Sequence, residues 1–106
     1  EYDTEQHNVR IGKDRRSVTL SASYSIADAN RELEKIFTDF HIPEDEEYES
    51  VSGFVNKLFE HIPDLGESRE TQGVRIVVTK KGQMNVSEVR FEDAGHRDEV
   101  TSNQTA

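Results

Sequence analysis

Ser17-Val18-Thr19-Leu20-Ser21-Ala22-Ser23-Tyr24-Ser25-Ile26-Ala27-Asp28-Ala29-Asn30 changes its apolar period partway along. Val18, Leu20, Ala22 and Tyr24 alternate with Thr19, Ser21 and Ser23, so Ser17 to Ser23 or Tyr24 reads as a strand with one buried and one wet face. From Ser25 onward the spacing becomes helical. Ile26, Ala29, Leu33, Ile36, Phe37 and Phe40 share one face, with Arg31, Glu32, Glu34 and Lys35 toward the other. Ser25 is the expected N-cap and Asp28 a variant capping-box partner. The helix is expected to run to about Asp39, and Pro43 bars any continuation, because the residue before proline is biased to extended conformations.

Outward from this unit, Glu44 to Glu49 is an acidic loop and Ser50 the expected N-cap of a second helix, Val51 to about His61. Its apolar stripe is Val51, Phe54, Val55, Leu58, Phe59 and Ile62. Gly53 lies inside the first turns, where glycine costs up to about 1 kcal/mol relative to alanine; close approach of another part of the chain would explain it. Pro63 ends this helix and Asp64-Leu65-Gly66 makes a turn. A hairpin follows. Val74, Ile76 and Val78 alternate with Arg75, Val77 and Thr79, and Lys80-Lys81-Gly82-Gln83 is the expected turn, with Gly82 available for positive φ. Met84 and Val86 then point one way and Val89 and Phe91 the other, which calls for a bulge near Ser87 and Glu88. The order is β-α-α-β-β, with a short extra strand around Glu67 to Thr71, and an α+β fold in which two helices pack on one face of a small sheet. Residues 1–16 read as a linker from an upstream domain, 17–93 as the folded domain and 94–106 as a disordered tail.

Composition narrows function. A chain of 106 residues bounds one domain with one modest core. A net charge of -9 disfavours nucleic acid and anionic lipid as partners. There is no cysteine, which excludes disulfides and thiolate zinc sites. No apolar run approaches the roughly 18 residues needed to span a bilayer. The chain begins at Glu1, which reads as a piece of a longer protein with any membrane link outside it.

No nucleophile elbow, P-loop or Gly-x-Gly-x-x-Gly motif is present, so no catalytic residue is expected and the chain reads as a non-enzyme. His7, His41, His61 and His96 fall in no metal motif; His61, near a helix C-terminus, suits the dipole when protonated. Glu44, Asp45, Glu46 and Glu47 are the candidate metal ligands, since hard divalent cations take carboxylate oxygens. The run lacks EF-hand spacing, so weak binding or a solvated acidic loop are the two readings. Tyr48 is expected to anchor that loop by burying its ring while its hydroxyl finds a partner.

Residues 22 to 91 resemble the transporter-associated domain of CorC/HlyC type. The likeness lies in Tyr24-Ser25-Ile26-Ala27-Asp28-Ala29-Asn30, in Ile42-Pro43 through Tyr48-Glu49-Ser50-Val51-Ser52-Gly53-Phe54-Val55, in Ile62-Pro63-Asp64-Leu65-Gly66-Glu67, in Val74 to Val78 and in Val86 to Phe91. Ser50 stands where threonine is usual. The resemblance implies a C-terminal accessory domain of a bacterial membrane ion transporter, of the magnesium and cobalt efflux or hemolysin-like kind. Such a domain follows a transmembrane region and a CBS pair at the cytoplasmic face of the inner membrane, and modulates ion or substrate transport. The piece itself is expected to be soluble, and its partners the rest of the same transporter. Fold analogy with flavin oxidases also implies FAD or adenine-nucleotide binding, which the acidic charge opposes, and fold alone is weak evidence for function. Exposed sheet edges allow pairing across a two-fold axis into a homodimer.

Overall fold

The structure, a computed structural model, describes residues 9–94. In chain order the elements are β1 (Arg10–Ile11), β2 (Ser17–Ser21), α1 (Ile26–Leu33), α2 (Val51–Phe59), β3 (Ser68–Thr71), β4 (Val74–Lys81) and β5 (Val86–Asp93). All strand pairs are antiparallel and the sheet order is β1-β2-β5-β4-β3, which puts the last strand of the chain at the centre. Both helices bury their apolar stripes against one sheet face. Val18, Leu20, Ile76, Val78, Val89 and Phe91 meet Ala29, Leu33, Val51, Val55 and Phe59 in one continuous core. The α+β arrangement expected from the period changes is the one found.

Boundaries differ in instructive ways. Part of the expected linker is an edge strand, with Arg10 paired to Thr19 and Ile11 to Val18. Two residues are too few to show a period. At the other end Ala94, assigned to the tail, is buried and donates its amide to the Gly73 carbonyl at 2.9 Å. The remainder of both expected tails lies outside the described residues.

β2 stops at Ser21, short of the expected Ser23 or Tyr24, because Ser21 forms a turn: its Oγ accepts from the Ser23 amide at 3.1 Å and its carbonyl from the Tyr24 amide at 3.2 Å. Burial keeps the alternation, with Ala22 and Tyr24 still inside.

Helix α1 ends at Leu33 and not near Asp39. Its last bonds tighten to i→i−3, Lys35 to Glu32 and Ile36 to Leu33, and the Asn30 amide grips the returning chain. Asn30 Nδ2 donates to the Ile42 carbonyl at 3.0 Å and Oδ1 accepts from the Ile42 amide at 2.7 Å. That reversal lets Phe40 and Ile42 enter the core, where Phe40 packs against Phe37 and Phe91.

Helix α2 ends at Phe59, before the expected His61, because Glu60 turns left-handed at φ 68. Ile62 therefore leaves the stripe and is exposed, while Pro63 is buried. β4 continues through Lys80 and Lys81, so the turn is Gly82 to Asn85, and Gly82 is not among the positive-φ glycines. Left-handed backbone is used instead at Gln72 and Gly73, φ 52 and 80, which join β3 to β4 as a two-residue turn matched to sheet twist. The bulge is real: the register passes from Val78–Val89 to Lys80–Glu88 to Lys81–Val86, skipping Thr79 on one strand and Ser87 on the other. It buries Val86 as well as Val89, but Met84, expected inside with Val86, lies in the turn and is exposed.

Gly53 meets the close approach its position calls for. An added Cβ would lie 2.7 Å from Tyr48 Cβ. Gly53→Ala is therefore expected to destabilise by about 1–2 kcal/mol, since overpacking outweighs the gain in helix propensity. Glu60→Gly should relieve left-handed strain and stabilise by about 0.5 kcal/mol after the added freedom of the unfolded chain is subtracted. Urea midpoints of the two variants, moving in opposite directions, check both.

Candidate functional site

Three backbone bonds hold the N-termini of the two helices side by side. The amides of Val51 and Ser52 donate to the carbonyls of Tyr24 and Ala22 at 3.0 and 2.9 Å, and the Ile26 amide donates to the Glu49 carbonyl at 3.3 Å. Ser25 caps α1 as expected, its Oγ accepting from the Asp28 amide at 3.1 Å, while the Asp28 carboxylate pairs with Arg31. Ser50 sits at the N-cap of α2 without a side-chain cap bond, since backbone carbonyls have taken over that task. Tyr48 anchors the loop: its ring packs edge-on to Phe54 and its hydroxyl donates to the Pro43 carbonyl. Burial, then the charge on Asp45, pushes the Tyr48 phenol above its ordinary value.

The four candidate ligands lie on this clamp, all exposed. Asp45 Oδ1 accepts the Glu47 amide at 2.8 Å, and the Glu47 carboxylate pairs with Lys57, whose ammonium that bond holds above its usual range. Glu44 and Asp45, with Ser25, Tyr48 and Glu49, line a hollow of about 230 Å³ at the start of α1. Among the described residues no three His, Asp or Glu side chains are grouped to hold a metal ion. At the two helix starts the amides of Ile26, Asp28, Val51 and Ser52 are bonded within the chain and so are not open to an anionic ligand.

Two neighbouring features were not legible in sequence. Beside α2, Ser21, Ser23, Ser50, Ser52 and Ser87 surround an open hollow with Ala22 and Val86, gathered there by the clamp and the bulge. At the far end of α2, His61 Nε2 meets both carboxylate oxygens of Glu67 at 3.1 and 3.0 Å, and the Asp64 amide donates to the same carboxylate at 2.8 Å. That amide bond, then the His61 bond, holds the Glu67 carboxyl below its usual range. His61 thus serves the loop to β3, a role the helix-dipole argument did not anticipate.

The helix-free face of the sheet is a lattice of ion pairs. Glu88 is 8% exposed and receives Arg10 at 3.1 Å and the Thr79 hydroxyl at 2.8 Å, with Lys80 at 3.9 Å. Arg90 reaches Glu92 at 2.6 Å, Arg75 lies 3.8 Å from Glu92, and Arg75 reaches Glu70 at 3.4 Å. Burial alone would raise the Glu88 carboxyl, but the bonds from Arg10 and Thr79 and the charges of Arg10 and Lys80 outweigh it and leave the pKa below 4.5. Only the register shows that Glu88 and Arg10 share this face and meet.

A family model, the CorC_HlyC transporter associated domain, matches residues 12–94. The chain belongs to this family. The CorC_HlyC match starts after β1 and ends at Ala94, so it spans nearly the whole described fold. Solved CorC_HlyC structures agree. The domain from Nitrosomonas europaea superposes with a TM-score of 0.67 at 23% identity, over 80% of this chain and 94% of that one. A magnesium and cobalt transporter (CorC) associated region from Neisseria meningitidis MC58 gives 0.63 at 17% identity, over 81% and 98%. The CorC_HlyC domain of a Xylella fastidiosa Temecula1 hemolysin, in complex with magnesium and manganese, gives 0.63 at 16% identity, over 80% and 95%. These likenesses establish a shared fold. No curated protein sequence matches the chain. Among the described residues no helix is long and apolar enough to cross a membrane.

Glu88 binds fewer protons in the folded than in the unfolded chain near its folded pKa, so its contribution is full above about pH 4.5 and is lost as pH falls through the depressed value. Glu88→Gln should cost about 1–2 kcal/mol at neutral pH by weakening the bonds to Arg10 and Thr79. The variant should also lose part of the acid-side fall in stability, read from urea midpoints on either side of pH 4.5.

Proposed function

We propose that this domain is the C-terminal accessory part of a bacterial membrane ion transporter of the magnesium and cobalt efflux or hemolysin-like kind, and that it modulates transport by docking, without chemistry of its own. The observation that carries this reading is the family match over residues 12–94. The Neisseria relative's association with a magnesium and cobalt transporter supports it. So does the geometry: apolar side chains fill the space between helices and sheet. On this reading the domain lies on the cytoplasmic side of the inner membrane and meets the CBS pair and membrane region of its own transporter. Deleting residues 12–94 from the full-length protein should alter metal resistance or metal flux at unchanged protein level. Unaltered flux with a normally abundant transporter would sink the reading.

A second reading is divalent-cation binding on the acidic loop through Glu44, Asp45, Glu46 and Glu47. The magnesium and manganese complex of the Xylella domain favours it. A cation held by the native state raises the melting temperature, so about 10 mM magnesium or manganese should raise Tm in the parent chain and less in Glu44→Gln/Glu46→Gln. Equal curves with and without cation remove this reading.

A further inference from the structure

We propose that the helix-free sheet face is a self-association surface, on which two copies of this chain stack face to face about a two-fold axis. Charge is the first argument. The chain carries a net charge of -9, so two copies repel over most of their surface. On this face the basic side chains Arg10, Arg75, Lys80 and Arg90 outnumber their acidic partners Glu70, Glu88 and Glu92. The face is close to neutral, so a second copy meets far less repulsion there than on the rest of this acidic surface.

Register supplies the second argument. β5 is the central strand, and Arg90 and Glu92 project from its open side. A two-fold axis between the faces, crossing β5 at right angles near Phe91, sets Arg90 of each copy opposite Glu92 of the other. The same axis sets Arg75 opposite Val77 and Thr19 opposite Ser17, because Arg75 and Ser17 pair with Glu92 while Val77 and Thr19 pair with Arg90. No like charges face each other in this central block.

The sheet edges are short. Antiparallel pairing of β3 with its copy in one continuous sheet requires a residue to face itself or one two positions away. Two of the four symmetric registers centred on this strand put Arg69 against Arg69 or Glu70 against Glu70, and like charges directly opposite are destabilising. β1 offers only two residues. The face offers five strands where each edge offers four residues or fewer. Five strands about 4.8 Å apart bury roughly 500 Å² per copy, which places the dimer in the weak, transient class.

Sedimentation equilibrium of the chain, from low concentration to about 1 mM, tests this. The average mass should rise toward twice the chain mass at about 0.15 M NaCl, where a Debye length of roughly 8 Å screens the overall repulsion between two acidic chains. Arg90→Glu and Glu92→Arg, each checked for native circular dichroism, should each stay monomeric alone. Mixed together they should associate again, because the reversed charges face each other across the axis. A monomer at every concentration, or association that both substitutions leave unchanged, overturns the proposal. So does failure of the mixture to associate when both variants are folded.

Discussion

The amides of Val51 and Ser52 reach back to the carbonyls of Tyr24 and Ala22, and the rest of the fold follows from that contact. The first amides of a helix have no partner of their own. Here they are satisfied by the turn that ends β2, so the second helix can start only where the first strand stops. The Ile26 amide returns the bond to Glu49, which fixes the two helix starts as a pair. Every apolar contact between helices and sheet is then set by where those two starts lie. The space left beneath the clamp admits Tyr48 only because Gly53 has no Cβ.

The clamp and the Asn30 latch share one logic. Both use backbone polar groups that would otherwise be buried without partners, and both turn the chain sharply so that apolar groups re-enter the core. Asn30 holds both the amide and the carbonyl of Ile42. Phe40 and Ile42 are thereby buried on a segment with no regular structure. The connection between the helices is long for its secondary structure because it is itself a layer of the core.

The two sheet faces divide the work. One is covered by helices and carries the hydrophobic stabilisation. The other is held by charges, with Glu88 the most deeply placed of them and Thr19 buried beside the same strands. Antiparallel sheets tolerate a wet face, but a wet face in a chain this acidic must collect its basic residues to avoid self-repulsion. That collection leaves a nearly neutral surface on a negative molecule. The acidic loop lies apart from it, beside the start of α1.

Period and composition determined a good deal. The shift at Ser25 from alternation to helical spacing, the stripe from Val51 to Phe59 and the reversal of phase between Val86 and Val89 are local patterns of side-chain direction, and each survived into the structure. Family membership was legible for the same reason, as an ordered set of local turns and stripes. The tertiary structure alone decided where α1 and α2 end, that Arg10–Ile11 is a strand, that Met84 is exposed, and that Glu88 meets Arg10 across 78 positions of sequence. Those outcomes depend on hydrogen bonds and charges between residues far apart in the chain. Periodicity records which way a side chain points; it carries no information about what it will meet.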